Sequence, residues 1–169
     1  MSTPLKLRAV DEDDLAVLGA FLQDALVPVQ DMCFLEDERR FVIVANRFCW
    51  ENLQPAADGG EEGEAEPQAE ASAPAYERVH CGITIEHVNR VQARGFTPGS
   101  EADKGRLLEM LTIMPEDGAL TLHFSGGAAV RIEADRIEAF VQDLGDPWPT
   151  LWRPRHPIED GVDQEGGTG

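Results

Sequence analysis

The chain has 169 residues, one ordinary domain's worth and enough to enclose a single core, with 42% hydrophobic residues and a formal net charge of -18. Six of its acids fall within residues 52–76 and four within 158–169, segments that hold no Lys or Arg, so removing those ten charges leaves -8 on the rest. An acidic surface repels phosphate and argues against nucleic acid as a partner, whereas a protein partner is compatible with it.

Cys33, Cys49 and Cys81 are odd in number and widely spaced, with no C-x-x-C pair, so they read as small buried hydrophobes in a reducing compartment. The opening "MSTPLKLRAVDEDD" has no basic stretch followed by an apolar run, and nowhere do about eighteen apolar residues come together. A cytoplasmic location without a membrane segment is the expectation.

Along the chain, "DEDDLAVLGAFLQDAL" places Leu15, Leu18, Leu22 and Leu26 at three- and four-residue intervals behind a capping Asp11 and an acidic first turn. This predicts a helix from about 12 to 26, stopped by Pro28, with Gly19 allowing close approach to a sheet. "DMCFLEDERRFVIVANRFCWE" is two apolar runs around a charged knot, a β-hairpin. Its second run is apolar on both faces at first, as a central or helix-covered strand would be. Residues 52–76 hold one leucine among Ala, Glu, Pro and Gly before Tyr76, too little apolar area to offset ordering entropy, and are expected to form a disordered loop.

"VHCGITIEH", residues 79–87, raises the question of a metal site. As a strand it sends Val79, Cys81, Ile83 and Ile85 to one face and His80, Thr84 and Glu86 to the other. His80 and His87 then face opposite sides, roughly 23 Å apart along a straight strand, and a sharp bend at "EHVN" would still need ligands from elsewhere. Neither a metal nor any other cofactor is expected.

"LLEMLTIMPEDGALTLHFSGGAAVRIEA" predicts three strands. Leu111 and Ile113 oppose Phe124 and Leu122 across a type I′ turn at Asp117-Gly118. Leu122 and Phe124 in turn oppose Ile132 and Val130 across the three-residue loop Gly126 to Ala128, with His123 facing away from the core. "DRIEAFVQDLG" has capping-box-like spacing at Asp135 and Glu138 and an apolar stripe of Ile137, Phe140, Val141 and Leu144 ending at Gly145, and predicts a second helix. A strand there would put Asp143 on the same face as Ile137 and Val141, which counts against it. "DPWPTLWRPRHP" is then an extended arm able to lay Trp148 and Trp152 on the body, and 154–169 is an expected disordered tail.

These elements add up to an α+β chain: a mostly antiparallel, curled sheet with an N-terminal and a C-terminal helix, and a pleckstrin-homology-like barrel as the nearest analogue in shape. One domain spans 1–153, interrupted by the acidic loop at 52–76.

The pieces "DEDDLAVLGAFLQDAL", "ERRFVIVANRFCWE" and "RIEAFVQDLGDPWPT", in that order, resemble a bacterial family of unknown function, the one numbered 2948, over about residues 4–51 and 77–153. The resemblance implies a compact cytoplasmic domain and carries no activity across. The acidic insertion is not part of it.

With no nucleophile paired to a base, no phosphate loop and no metal spacing, the reading is a small non-enzymatic binding or protein-interaction module. Its candidate patch is Asn46, Arg47 and Trp50 with Trp148, because Trp and Arg are enriched at binding hot spots. The plainer alternative makes both tryptophans core and Arg47 a surface counter-ion to Glu51. An enzyme with a site around His80, Glu86 and His123 is the competing class, although His80 and Glu86 lie roughly 20 Å apart on one strand. Ser125 in "HFSGG" departs from the G-x-S-x-G pattern and lies between strands, where a tight hairpin is the simpler reading.

Overall fold

The computed structural model describes residues 3–52, 76–152 and 154. Among them run β1 (Lys6–Ala9), α1 (Glu12–Leu22), β2 (Leu26–Pro28), β3 (Met32–Leu35), β4 (Arg40–Phe48), β5 (Tyr76–Ile85), β6 (Val88–Arg94), β7 (Leu107–Glu116), β8 (Ala119–Phe124), β9 (Ala129–Ala134) and β10 (Ala139–Thr150). Every strand pair is antiparallel, in the order β1-β10-β5-β4-β2-β7-β8-β9-β6, with β3 beside β4. β1 and β6 end the series unpaired to each other, so the sheet is open and the barrel analogy fails.

The two halves of the sheet meet at the three residues of β2, where Leu26 pairs with Asn46 on one side and Leu26 to Pro28 pair with Glu109 to Leu107 on the other. A single apolar cluster fills the space between them, drawing Ile43, Cys81, Ile83 and Val141 from one half and Met110, Leu122, Phe124 and Ile132 from the other.

α1 begins as the sequence predicts, Asp11 Oδ1 accepting the Asp14 N–H at 2.8 Å, and it buries Leu15, Leu18 and Leu22. It stops a turn earlier than position 26, because Asp24 at φ 62 reverses the chain and frees the next backbone groups for strands. The Asp24 N–H donates to the Met110 carbonyl at 2.8 Å and the Met110 N–H to the Ala25 carbonyl at 2.9 Å. α1 does approach the sheet at Gly19, but a Cβ there would lie 3.9 Å from the backbone nitrogen of Ile113 in β7, an ordinary contact, so the approach does not require a glycine.

The β3-β4 hairpin is present, Leu35 facing Arg40, and β4 lies inside the sheet with Phe41, Ile43 and Ala45 buried. The expected disorder at 52–76 and 154–169 falls outside the described residues except at Asn52, Tyr76 and Pro154. The ends that flank the insertion are tied together: the Asn52 amide donates to Glu77 Oε2 at 2.8 Å, and the Cys49 N–H to the Glu77 carbonyl at 2.9 Å. Replacing residues 54–74 by a short Gly/Ser link is therefore expected to leave cooperative thermal unfolding within a few degrees of the parent, since loop-closure free energy varies slowly with length. A scan without a transition would show that the insertion contributes to the core.

In β5 Val79, Cys81, Ile83 and Ile85 are buried and His80 is exposed, as alternation predicts, and the bend at "EHVN" is real, with His87 at φ 59. The three strands of the last third are also present, with changes of detail. Asp117-Gly118 is a two-residue connection between Glu116 and Ala119, but only Gly118 has positive φ, at 72, so it is not type I′. Leu122 pairs with Val130 and Leu120 with Ile132, because the three-residue turn is Ser125–Gly127, one position earlier than expected. A bulge between Met110 and Thr112 turns Leu111 outward, 47% exposed, and gives Met110 the core position opposite Phe124.

The largest correction concerns 135–145, which form no helix. Ala139–Thr150 is strand β10, inserted between β1 and β5, with Ala139 and Val141 buried and Phe140, Gln142 and Leu144 on the opposite face. Asp143 does share the inward face with Val141, the arrangement that seemed to forbid a strand, and it is tolerated because Arg47 meets it there. β10 also absorbs the start of the proline-rich arm. Trp148 packs against the sheet, whereas Trp152 is 81% exposed.

Candidate functional site

The four patch residues divide between two environments. Arg47 points inward from β4 and is 1% exposed, gripped from two sides. Its Nε and Nη2 donate to the two carboxylate oxygens of Asp143 at 2.7 and 2.8 Å, and its Nη1 and Nη2 to those of Glu51 at 2.9 and 2.7 Å. Asp143 Oδ2 also accepts the Leu5 N–H at 2.7 Å, so the guanidinium joins β4, β10 and the segment leading into β1. Burial alone would lower the Arg47 pKa, but the hydrogen bonds to Asp143 and Glu51 outweigh it and raise it. Nearby, burial pushes the Cys49 thiol up to about 11 and the Cys81 thiol up to about 12, so both stay protonated and neither is a nucleophile at neutral pH.

Asn46 and Trp148 lie on the outer face of the sheet instead. The Trp148 ring packs on His80, centroids 4.5 Å apart, and His80 is paired in register with Asn46 on one side and Leu144 on the other. Trp50 borders this face. Its indole N–H donates to the Gln23 carbonyl at 2.9 Å, and its ring joins Phe48, which in turn touches Tyr76 and lies under the Arg78 guanidinium. The structure thus brings Asn46 and Trp148 together, sets Trp50 beside them and seats Arg47 beneath.

Register extends the outer face into three rows: Arg8, Phe140, Thr84, Val42 and Cys33; then Lys6, Gln142, Gly82 and Val44; then Leu144, His80 and Asn46. None of these residues is acidic. Val44 and Leu144 are 42% and 43% exposed, so no described element covers the middle of the face. Gly82 puts no side chain on the floor beside them, where a Cβ would lie 3.6 Å from Leu144 Cδ1. Sequence reasoning did not place Val44, Gly82 or Leu144 on a binding surface, and it singled out His80 only for the metal and enzyme readings. The signal available for them was the run in β4 that is apolar on both faces.

The residues of the enzyme reading are not assembled. His80 packs on Trp148, Glu86 Oε1 accepts from Arg40 Nε at 2.7 Å, and His123 lies across from Ala129 in another part of the sheet. Ser125 sits in the β8-β9 turn, with Gly126 and Gly127 at φ 73 and 79, as the hairpin reading expects. Among the described residues no group of three or more His, Cys, Asp and Glu side chains could hold a metal ion. No described helix is long and apolar enough to cross a membrane.

Where β5 turns into β6, His87 Nε2 lies 2.6 Å from Glu138 Oε2, and Arg8 Nη2 donates to Glu138 Oε1 at 3.0 Å. These two hydrogen bonds hold the Glu138 carboxyl below the usual glutamate range. A carboxyl depressed in the folded state contributes stability that is complete above its unfolded pKa and lost as pH falls through the folded one. Urea midpoints should accordingly fall below about pH 5, and Glu138→Gln should flatten that acid limb; an unchanged limb would mean that other carboxylates carry it.

No curated protein and no solved structure matches the chain. A family model does match it, over residues 5–156, and so the chain belongs to the family described as a protein of unknown function, DUF2948.

Proposed function

We propose that the chain is a non-enzymatic protein-interaction module of the bacterial cytoplasm that binds through the outer face of β1, β10, β5, β4 and β3. One observation carries this reading: in a chain of net charge -18, three rows of an open sheet face hold no acid, and Glu86 and Glu138 beyond the first row are paired with Arg40 and Arg8. Exposed Val44 and Leu144, and Trp148 packed on His80, lie where a partner's apolar side chains would be desolvated. Lys6 lies at one side of that face, beside Arg8 in its pair with Glu138, and favours a partner segment with an acid flanking its apolar anchors. Asn46 contributes a polar contact, Trp50 a wall, and Arg47 the support that fixes β4 against β10.

The test is comparative capture from native lysate with the intact chain, a Val44→Glu/Leu144→Glu variant, and Ala102→Glu as an exposed control away from the face. A specific partner retained by the control and lost from the double variant is the expected result. Equal recovery on all three, or no protein enriched by the intact chain, would refute the surface.

A further inference from the structure

A second uncovered feature lies on other elements, in the open groove of about 530 Å³ between α1 and the second half of β7. Its floor is made by Ala16, Gly19 and Ala20 on the helix and by Ile113 on the strand, and its strand wall by Leu111 and Met114, 47% and 49% exposed. The bulge that turns Leu111 outward creates that wall, spending a strand position on an apolar side chain that the core does not take up.

Glu12 and Asp13 stand at one end of the groove, and no Lys or Arg lines it. Their neighbours Asp11 and Asp14 are engaged in the helix cap, through Asp11 Oδ1 with the Asp14 N–H and Asp14 Oδ2 with the Val10 N–H. Glu12 and Asp13 are exposed and belong to no ion pair among the described residues.

The backbone decides the form of the occupant. A partner strand would need a free ladder on β7, but α1 crosses there, close enough that a Gly19 Cβ would lie 3.9 Å from the Ile113 nitrogen, and Pro115 has no N–H to offer. A segment buried in the groove must therefore satisfy its own backbone, which a helix does. The small side chains of the α1 floor allow a second helix to approach closely. A second copy of this chain is disfavoured, because the lining it would present holds Glu12 and Asp13 again and no Lys or Arg to complement them.

We infer that the groove between α1 and β7 docks a short amphipathic helix of a partner protein, its apolar stripe on Leu111, Ile113 and Met114 and its Lys or Arg beside Glu12 and Asp13. The 11 residues of α1 span roughly 16 Å, so about three turns of the partner helix engage. The site shares no residue with the outer sheet face, and the two together would let one chain bridge two partners.

The probe is a fluorescein-labelled Leu/Lys peptide with leucines at helical spacing, compared with a scrambled peptide of the same composition and with a Leu/Glu counterpart. Anisotropy should show binding of the first only. Leu111→Ser/Met114→Ser should weaken it about tenfold or more, since two apolar contacts are lost, and Glu12→Gln/Asp13→Asn should weaken it and reduce its salt dependence. Hydrogen exchange should slow in α1 and β7. The inference is overturned if the helical Leu/Lys peptide does not bind, if the scrambled peptide binds equally, if the Leu111/Met114 variant binds as the parent does, or if a dimer of this chain occupies the groove. All four substituted residues are exposed, and urea unfolding confirms that the variants fold. None of them touches Val44 or Leu144, so failure here leaves the outer-face reading to its own test.

Discussion

Arg47→Ala is expected to lower the unfolding free energy by about 3–5 kcal/mol, because it leaves Asp143, 6% exposed at its side chain, as an unpaired charge inside the sheet. Asp143→Ala should do comparable damage from the other side, adding the loss of the Leu5 N–H acceptor. The damage comes from the orphaned partner more than from the bond itself. Arg47→Met combined with Asp143→Leu should therefore recover a substantial part of the loss, which separates a stranded charge from a packing defect. Urea unfolding of the single and double variants is the measurement. If Arg47→Ala costs under about 1 kcal/mol, the charge cluster is wet and its role as the tie between β4 and β10 falls.

Phe124→Ala should cost about 3–5 kcal/mol, since the ring is 2% exposed, faces Met110 across the β7-β8 pair and belongs to the cluster shared by both halves of the sheet. His123→Ala, one position along and on the other face, should cost well under 1 kcal/mol. The pair reads the face of β8 directly. A more damaging His123→Ala would mean that the histidine has a partner worth more than a core ring, and the enzyme reading would gain its missing anchor.

Much of the sheet could be read in the sequence because alternation is a strong local signal. β5, β7, β8 and β9 follow from Val79 to Ile85 and Leu111 to Ile132, and α1 from Leu15, Leu18 and Leu22. β1 and β2 were not, because four and three residues carry too little period to register. β10 was misread for a more instructive reason. Ile137, Phe140, Val141 and Leu144 fit a helical stripe, and Asp143 argued against the strand until Arg47 was known to be its partner, 96 residues away in sequence. A compensated charge on an inward face looks like an error when only one of the two residues is in view.

The candidate surface was legible to a similar degree. Asn46 and Trp148 share a face, but strand register, which pairs Asn46 with His80 and His80 with Leu144, depends on which strands are neighbours. Sequence distance gives no access to that. The turn between β8 and β9 shows the same limit on a smaller scale: parity correctly demanded an odd loop, and its position slipped by one residue among Ser125, Gly126, Gly127 and Ala128.

The place of β10 between β1 and β5 has a consequence for how the protein is made. Among the described strands, the last in sequence is the one that joins the first to the middle of the sheet, pairing Ala9 with Ala139 and Ala139 with Ile85. Without β10, β1 has no strand partner among the described residues and β5 offers a bare edge, with Val79, Cys81 and Ile83 covered on one flank only. This half of the sheet closes through contacts of long sequence separation, which form slowly, and a chain cut before residue 139 would be left with an open, sticky strand edge for chaperones and proteases to find.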